Sequence, residues 1–103
     1  MKRIPSSFEL GAYTITVVML DEVTYAKKHG NSFGEFDPIG LKITLAKPDK
    51  WTASTRQIVY QTFWHEFTHA LLWVALPKKY TDEALTDQIG HLLAQFNQSA
   101  KHD

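Results

Sequence analysis

The chain contains no cysteine, which excludes disulfides and every thiolate metal site, so any bound metal would rest on His, Asp and Glu alone. It also lacks an excess of charge of either sign, with eleven Lys and Arg against eleven Asp and Glu. That removes the field by which a basic domain holds nucleic acid or an anionic membrane surface, so neither is expected as a partner. Long apolar runs are missing too. Nothing approaches the roughly 18 apolar residues of a membrane span, and residues 1–11 lack the apolar stretch of a secretion signal, so the expectation is a cytoplasmic chain. With four prolines, five glycines and no low-complexity stretch, there is no linker to divide 103 residues, and 1–103 reads as one domain.

What is present is ordinary globular material, 44% hydrophobic and 13% aromatic. Residues 1–8 and 99–103 combine small or polar residues without periodicity and read as loose ends. The β-branched and aromatic run at 13–19 predicts a strand. Residues 21–29 predict a short helix, with acid at its start, Lys27, Lys28 and His29 at its end and Gly30 as its stop. A hairpin is expected next, with 32–36 and 41–46 flanking the turn residues Asp37, Pro38, Ile39 and Gly40. Ser54 with Gln57 matches a capping box that opens a long helix over 55–76, which Pro77 ends. Thr81 then caps a second helix over 82–98, with Leu85, Ile89, Leu92, Leu93 and Phe96 as its apolar stripe. The predicted fold is therefore α+β, a small, mainly antiparallel or mixed three-stranded sheet packed on a long helix that a second helix follows.

The long helix carries His65-Glu66-Phe67-Thr68-His69, an H-E-x-x-H sequence. Residues four apart share one helix face, so both imidazoles can reach the same ion. Glu66 projects about 100° round from His65, beside that ion, where its carboxylate can take a proton from water. Given five His and five Glu, roughly one shuffled chain in a hundred would show the pattern. The blander alternative makes His65 and His69 ordinary core histidines. It leaves two His and a Glu on an otherwise apolar helix without partners to offset their desolvation.

Catalytic zinc usually takes three protein ligands. A third histidine would need Gly at 72 and His at 75, where this chain has Leu72 and Ala75. Glu83 is the better candidate, because the thirteen intervening residues allow the chain to turn back and bring it to the open side of the ion. Glu83, Asp87 and His91 follow at four-residue intervals along one side of the second helix. Either Glu83 binds metal while Asp87 fixes an imidazole tautomer, or Asp87 or His91 binds directly.

Together these residues resemble the gluzincins, zinc metallopeptidases with H-E-x-x-H and a glutamate ligand on the following helix. The stretch 83–93 also resembles the E-x-x-A-D-x-F-A-x-x-L-L pattern of ImmA/IrrE-like peptidases, from which Thr86, Ile89 and Gly90 depart. The resemblance covers about residues 39–96 and implies a minimal, zincin-like peptidase of the kind carried by phages and bacterial mobile elements. It implies one Zn2+ held by His65, His69 and Glu83, with Glu66 as the base and a peptide or protein substrate. It further implies that the strand of Leu41, Lys42, Ile43, Thr44 and Leu45 is the edge along which substrate pairs. Tyr80 is the first candidate to steady an oxyanion, with His91, Tyr60 and His29 behind it. The alternative from another class is a zinc-stabilised regulatory protein that binds a peptide or repressor without turning it over.

Overall fold

The computed structural model describes residues 4–102. Its element order is β1 (Ser7–Leu10), β2 (Tyr13–Asp21), α1 (Glu22–His29), β3 (Gly34–Asp37), β4 (Lys42–Lys47), α2 (Ala53–Ala75), a 3-10 turn (Pro77–Lys79) and α3 (Glu83–Ser99). This is an α+β domain with a mixed sheet of four strands, one more than the sequence predicts, in the order β1-β2-β4-β3. The extra strand is β1, which pairs antiparallel with β2 and sends Phe8 against the rings of Phe63 and Phe67. The expectation of a loose N-terminus is thereby corrected from Ser7 onward. Ile4 also packs on the core, while residues 1–3 and 103 lie outside the described residues.

Strand β4 is central. It pairs parallel with β2 from Thr16↔Lys42 to Asp21↔Lys47 and antiparallel with β3 from Gly34↔Leu45 to Asp37↔Lys42. Its backbone groups are committed to neighbours on both sides, and Ile43, Thr44 and Leu45 are all buried. This corrects the expectation that Leu41, Lys42, Ile43, Thr44 and Leu45 form a substrate edge. Leu41 belongs to the turn, in the left-handed region at φ 51°, and its carbonyl accepts a hydrogen bond from Thr16 N. The free edge nearest α2 is β3. Phe33 O accepts from Ala46 N at 2.9 Å, so the antiparallel alternation turns the backbone groups of Gly34 and Phe36 away from β4.

Helix α2 lies across the sheet. Val59, Phe63 and Ala70 meet Ile15, Val17, Ile43 and Leu45 in one core, each large side chain contributing about 1.5–3 kcal/mol by leaving water. The helix begins two residues earlier than its sequence signal, because Thr52 and Thr55 form the capping box, leaving Ser54 and Gln57 inside the first turns. Gln57 instead pairs with Gln98 of α3 at 2.7 Å. Asp82, not Thr81, caps α3, accepting from Leu85 N at 3.0 Å.

The face that α3 presents to α2 also differs from its predicted stripe. The buried residues are Thr86, Gly90 and Ala94, a seam of small side chains, whereas Leu92 and Phe96 are 57% and 65% exposed. Gly90 shows why. A methyl group there would lie 3.0 Å from His65 Cα and 3.1 Å from Trp64 O, so bulk at this position would hold the helices apart at the first histidine of the motif. Among the described residues no helix is long and apolar enough to cross a membrane.

Candidate metal centre

His65 and His69 fall on successive turns of α2, their ring centroids 4.9 Å apart. The tight turn at Pro77–Lys79 reverses the chain and sets Glu83, the first residue of α3, over both rings. Its carboxylate bridges them: Oε2 is 3.2 Å from His65 Nε2 and Oε1 is 3.0 Å from His69 Nε2. One ligand atom from each of the three residues falls within 4.8 Å of the others. Three N and O ligands at about 2.1 Å from a tetrahedral ion stand about 3.4 Å from one another, so small side-chain rotations would close this group on a cation. The donor set fits a borderline ion such as zinc and needs no thiolate.

The other nitrogen of each ring is also engaged. His69 Nδ1 is 2.6 Å from the Tyr80 carbonyl oxygen and 3.4 Å from the buried Thr86 hydroxyl. His65 Nδ1 is 3.4 Å from Asp87 Oδ1. A carbonyl or carboxylate at Nδ1 favours a proton there, which leaves the Nε2 lone pair directed at the common point beside Glu83. Asp87 thus lies beside the outer nitrogen of His65.

Glu66 is the buried member, 7% exposed, between α2 and β3. Burial pushes its carboxyl up to about 7, helped by the charges of Glu83 and Glu35 and opposed by His69 and the Phe36 backbone amide. Gly34 makes room for it, since a methyl group on Gly34 would lie 2.7 Å from Thr62 Cγ2 and 3.2 Å from Glu66 Cγ. The cleft above these groups encloses about 340 Å³ and is lined by Gly34, Glu35, Phe36, Tyr80 and Thr81 together with His65, Glu66, His69 and Glu83. Its walls carry three carboxylates and no Lys or Arg, a setting that favours a cation.

The remaining sequence candidates separate. Tyr80 lines the cleft, and its established contact is through the backbone carbonyl. His91 lies further along the α2/α3 groove, with Gln57, Gln61 and Gln98, and takes no part in the three-residue group. Tyr60 is buried with its hydroxyl unpartnered, away from the cleft lining. His29 stacks on Tyr25 and sits 2.9 Å from Glu35. None of the three tryptophans lines the cleft; Trp64 and Trp73 pack among other aromatic rings. Sequence reasoning missed Thr86, Gly90, Gly34 and the Tyr80 carbonyl. For Gly90 a signal was available, since Thr86, Gly90 and Ala94 recur every four residues as small side chains. A carbonyl contact leaves no such trace.

No known protein family, curated protein or solved structure matches this chain.

Proposed function

We propose that this chain is a zinc-dependent peptidase of minimal gluzincin type, zincin-like in architecture. One observation carries the reading: a single carboxylate from the following helix meets the Nε2 atoms of both motif histidines, with a buried glutamate beside them. His65, His69 and Glu83 would hold the ion, and Asp87 and the Tyr80 carbonyl would keep the two imidazoles oriented. Zinc bound there supplies Lewis acidity, polarising a carbonyl and lowering the pKa of water.

The chain's own residues do the remaining work. Glu66, buried beside the two histidines, is suited to take a proton from the attacking water and to return it to the departing amine. The outward-facing backbone groups of Gly34 and the carbonyl of Phe36, whose amide faces Glu66, offer an extended peptide a strand to pair with, in place of β4. Tyr80, which also lines the cleft, is the residue available to steady charge that develops on the scissile carbonyl oxygen. A restricted protein substrate fits a cleft that a short domain leaves open to solvent on one side.

Two measurements test the reading. Elemental analysis of the purified protein should find one zinc per chain, reduced sharply by Glu83→Ala. Proteomic mapping of cleavage sites should show cuts by wild type that Glu66→Gln abolishes while retaining zinc and fold. A well-metallated wild type that cuts nothing across broad peptide libraries, yet retains a peptide on its cleft, would overturn catalysis in favour of a binding protein.

A further inference from the structure

The cleft does not end at the metal centre. Toward the start of β3 it continues past His65 and Glu66 into a space of about 280 Å³ that Phe33 and Thr62 also line. Those two residues are shared with a further hollow of about 60 Å³, walled by Ala46, Pro48, Ile58 and Val59. The lining changes character along this track. Carboxylates surround the metal centre, whereas Glu22 is the one charged residue among the described residues that line the hollow.

Two large apolar side chains of the hollow stand in water on backbone that is held in place. Phe33 is 61% exposed and Ile58 40% exposed. Phe33 O accepts from Ala46 N at 2.9 Å, the adjacent Ser32 hydroxyl is 2.8 Å from that of the buried Tyr25, and Ile58 lies within α2. A concave apolar surface with such fixed walls gains most when a further apolar group enters it.

The position of the hollow along α2 says what that group belongs to. Glu66 marks the place of the reacting bond. Thr62 is four residues before it, about 6 Å along the helix, and Ile58 eight residues before it, about 12 Å. An extended peptide advances about 3.3 Å per residue, so a peptide paired with the free edge of β3 passes the hollow about two to four residues from the bond that is cut.

We propose that the hollow between Phe33, Ile58 and Thr62 is a specificity pocket that takes one aliphatic side chain of the substrate, two to four residues from the scissile bond. It rests on the reading of the cleft as a peptide site. The hollow is a fraction of the about 340 Å³ above the metal centre, and it suits Val, Leu or Ile better than an aromatic ring. A single methylene in an apolar pocket is worth about tenfold or more in discrimination, so Leu should be preferred over Ala at this position by at least about tenfold. Antiparallel pairing with β3 puts the selected residue on the C-terminal side of the cut, and parallel pairing puts it on the N-terminal side.

Two peptide libraries test this. The first is a proteome-derived library cut by zinc-loaded wild type, and the second is a random decapeptide library bound by zinc-loaded Glu66→Gln, which reads recognition without turnover. Each should show enrichment of Val, Leu or Ile at one position, in the first library two to four residues from the cut. Phe33→Ser and Ile58→Gln, made in both proteins, should each reduce that preference at least about fivefold while zinc content and circular dichroism stay unchanged, because both side chains already face water. Ile58→Leu should retain it. An aliphatic preference in the bound peptides with no cutting by wild type supports the pocket and overturns the peptidase reading alone. Cutting without any aliphatic preference, or a preference that survives both substitutions, overturns the pocket and leaves the peptidase reading standing. Libraries that are neither cut nor bound overturn both.

Discussion

Glu66 makes the stability of the metal-free protein depend on pH in an unusual direction. Its carboxyl is raised from 4.5 to about 7, chiefly by burial, so the fold prefers its protonated form. A group whose folded pKa exceeds its unfolded value contributes fully at pH below the unfolded value and loses that contribution as pH rises through the folded one. At about 1.4 kcal/mol per pKa unit, the ionised carboxylate costs the fold about 3 kcal/mol at pH 8 but about 1 kcal/mol at pH 5.5. The metal-free protein should therefore be about 2 kcal/mol less stable at pH 8 than at pH 5.5. The other groups with resolved shifts act outside this window: Asp21 is lowered from 3.8 by hydrogen bonds from Thr24, and its contribution is lost only as acid is approached, while Tyr25 is raised above 10 by burial and stays neutral throughout. Urea unfolding in the presence of a chelator, for wild type and Glu66→Gln at both pH values, measures the effect. The amide keeps the shape without the charge, so the variant should show a much flatter profile and exceed wild type in stability at pH 8. If Glu66→Gln keeps the wild-type slope, or wild type is more stable at pH 8 than at pH 5.5, the account of a buried, destabilising base is wrong.

Gly90→Ala should destabilise the protein. The gain of up to about 1 kcal/mol from replacing a helical glycine is outweighed by overpacking of about 1–3 kcal/mol, because the obstacles at 3.0–3.2 Å are backbone atoms of α2 that cannot rotate aside. The same change should weaken zinc binding measured by competition with a chromogenic chelator, since it displaces Glu83 from the histidines. Asp87→Ala should reduce zinc affinity by about 10-fold, the lower end for loss of a group that orients a ligand, because Asp87 is largely exposed and 3.4 Å away. Zinc at a thousandfold excess over its dissociation constant should stabilise wild type by about 4 kcal/mol in thermal or urea unfolding, and Glu83→Ala should lose most of that gain.

The helices were readable because their signals are local. Phe63, Phe67 and Ala70 all lie on one broad apolar side, and ahead of Pro77 α2 ends at Ala75, one residue before the expected end. The sheet order was less readable. Leu41, Ile43 and Leu45 alternate with polar neighbours, as a strand with one solvated face does, yet Thr44 is fully buried because an interior strand is covered from both sides. Alternation reports which face of a strand meets the core. It carries no information on whether neighbours flank both edges, and that information decided which strand is free beside the cleft.

The same division runs through the metal centre. His65, Glu66 and His69 are fixed relative to one another by helix pitch alone, so five residues of sequence suffice to place them. Glu83 depends on three further conditions: a turn at Pro77–Lys79 short enough to reverse the chain, an Asp82 cap that starts the helix at that residue, and a seam of Thr86, Gly90 and Ala94 that lets α3 approach. Only the last accounts for a glycine in the middle of a helix, where it costs about 1 kcal/mol relative to alanine. A glycine at position 90 thus permits the close approach of α3 to α2. Bulk there would push against His65 itself, and the carboxylate that bridges both histidines would be carried away with the helix.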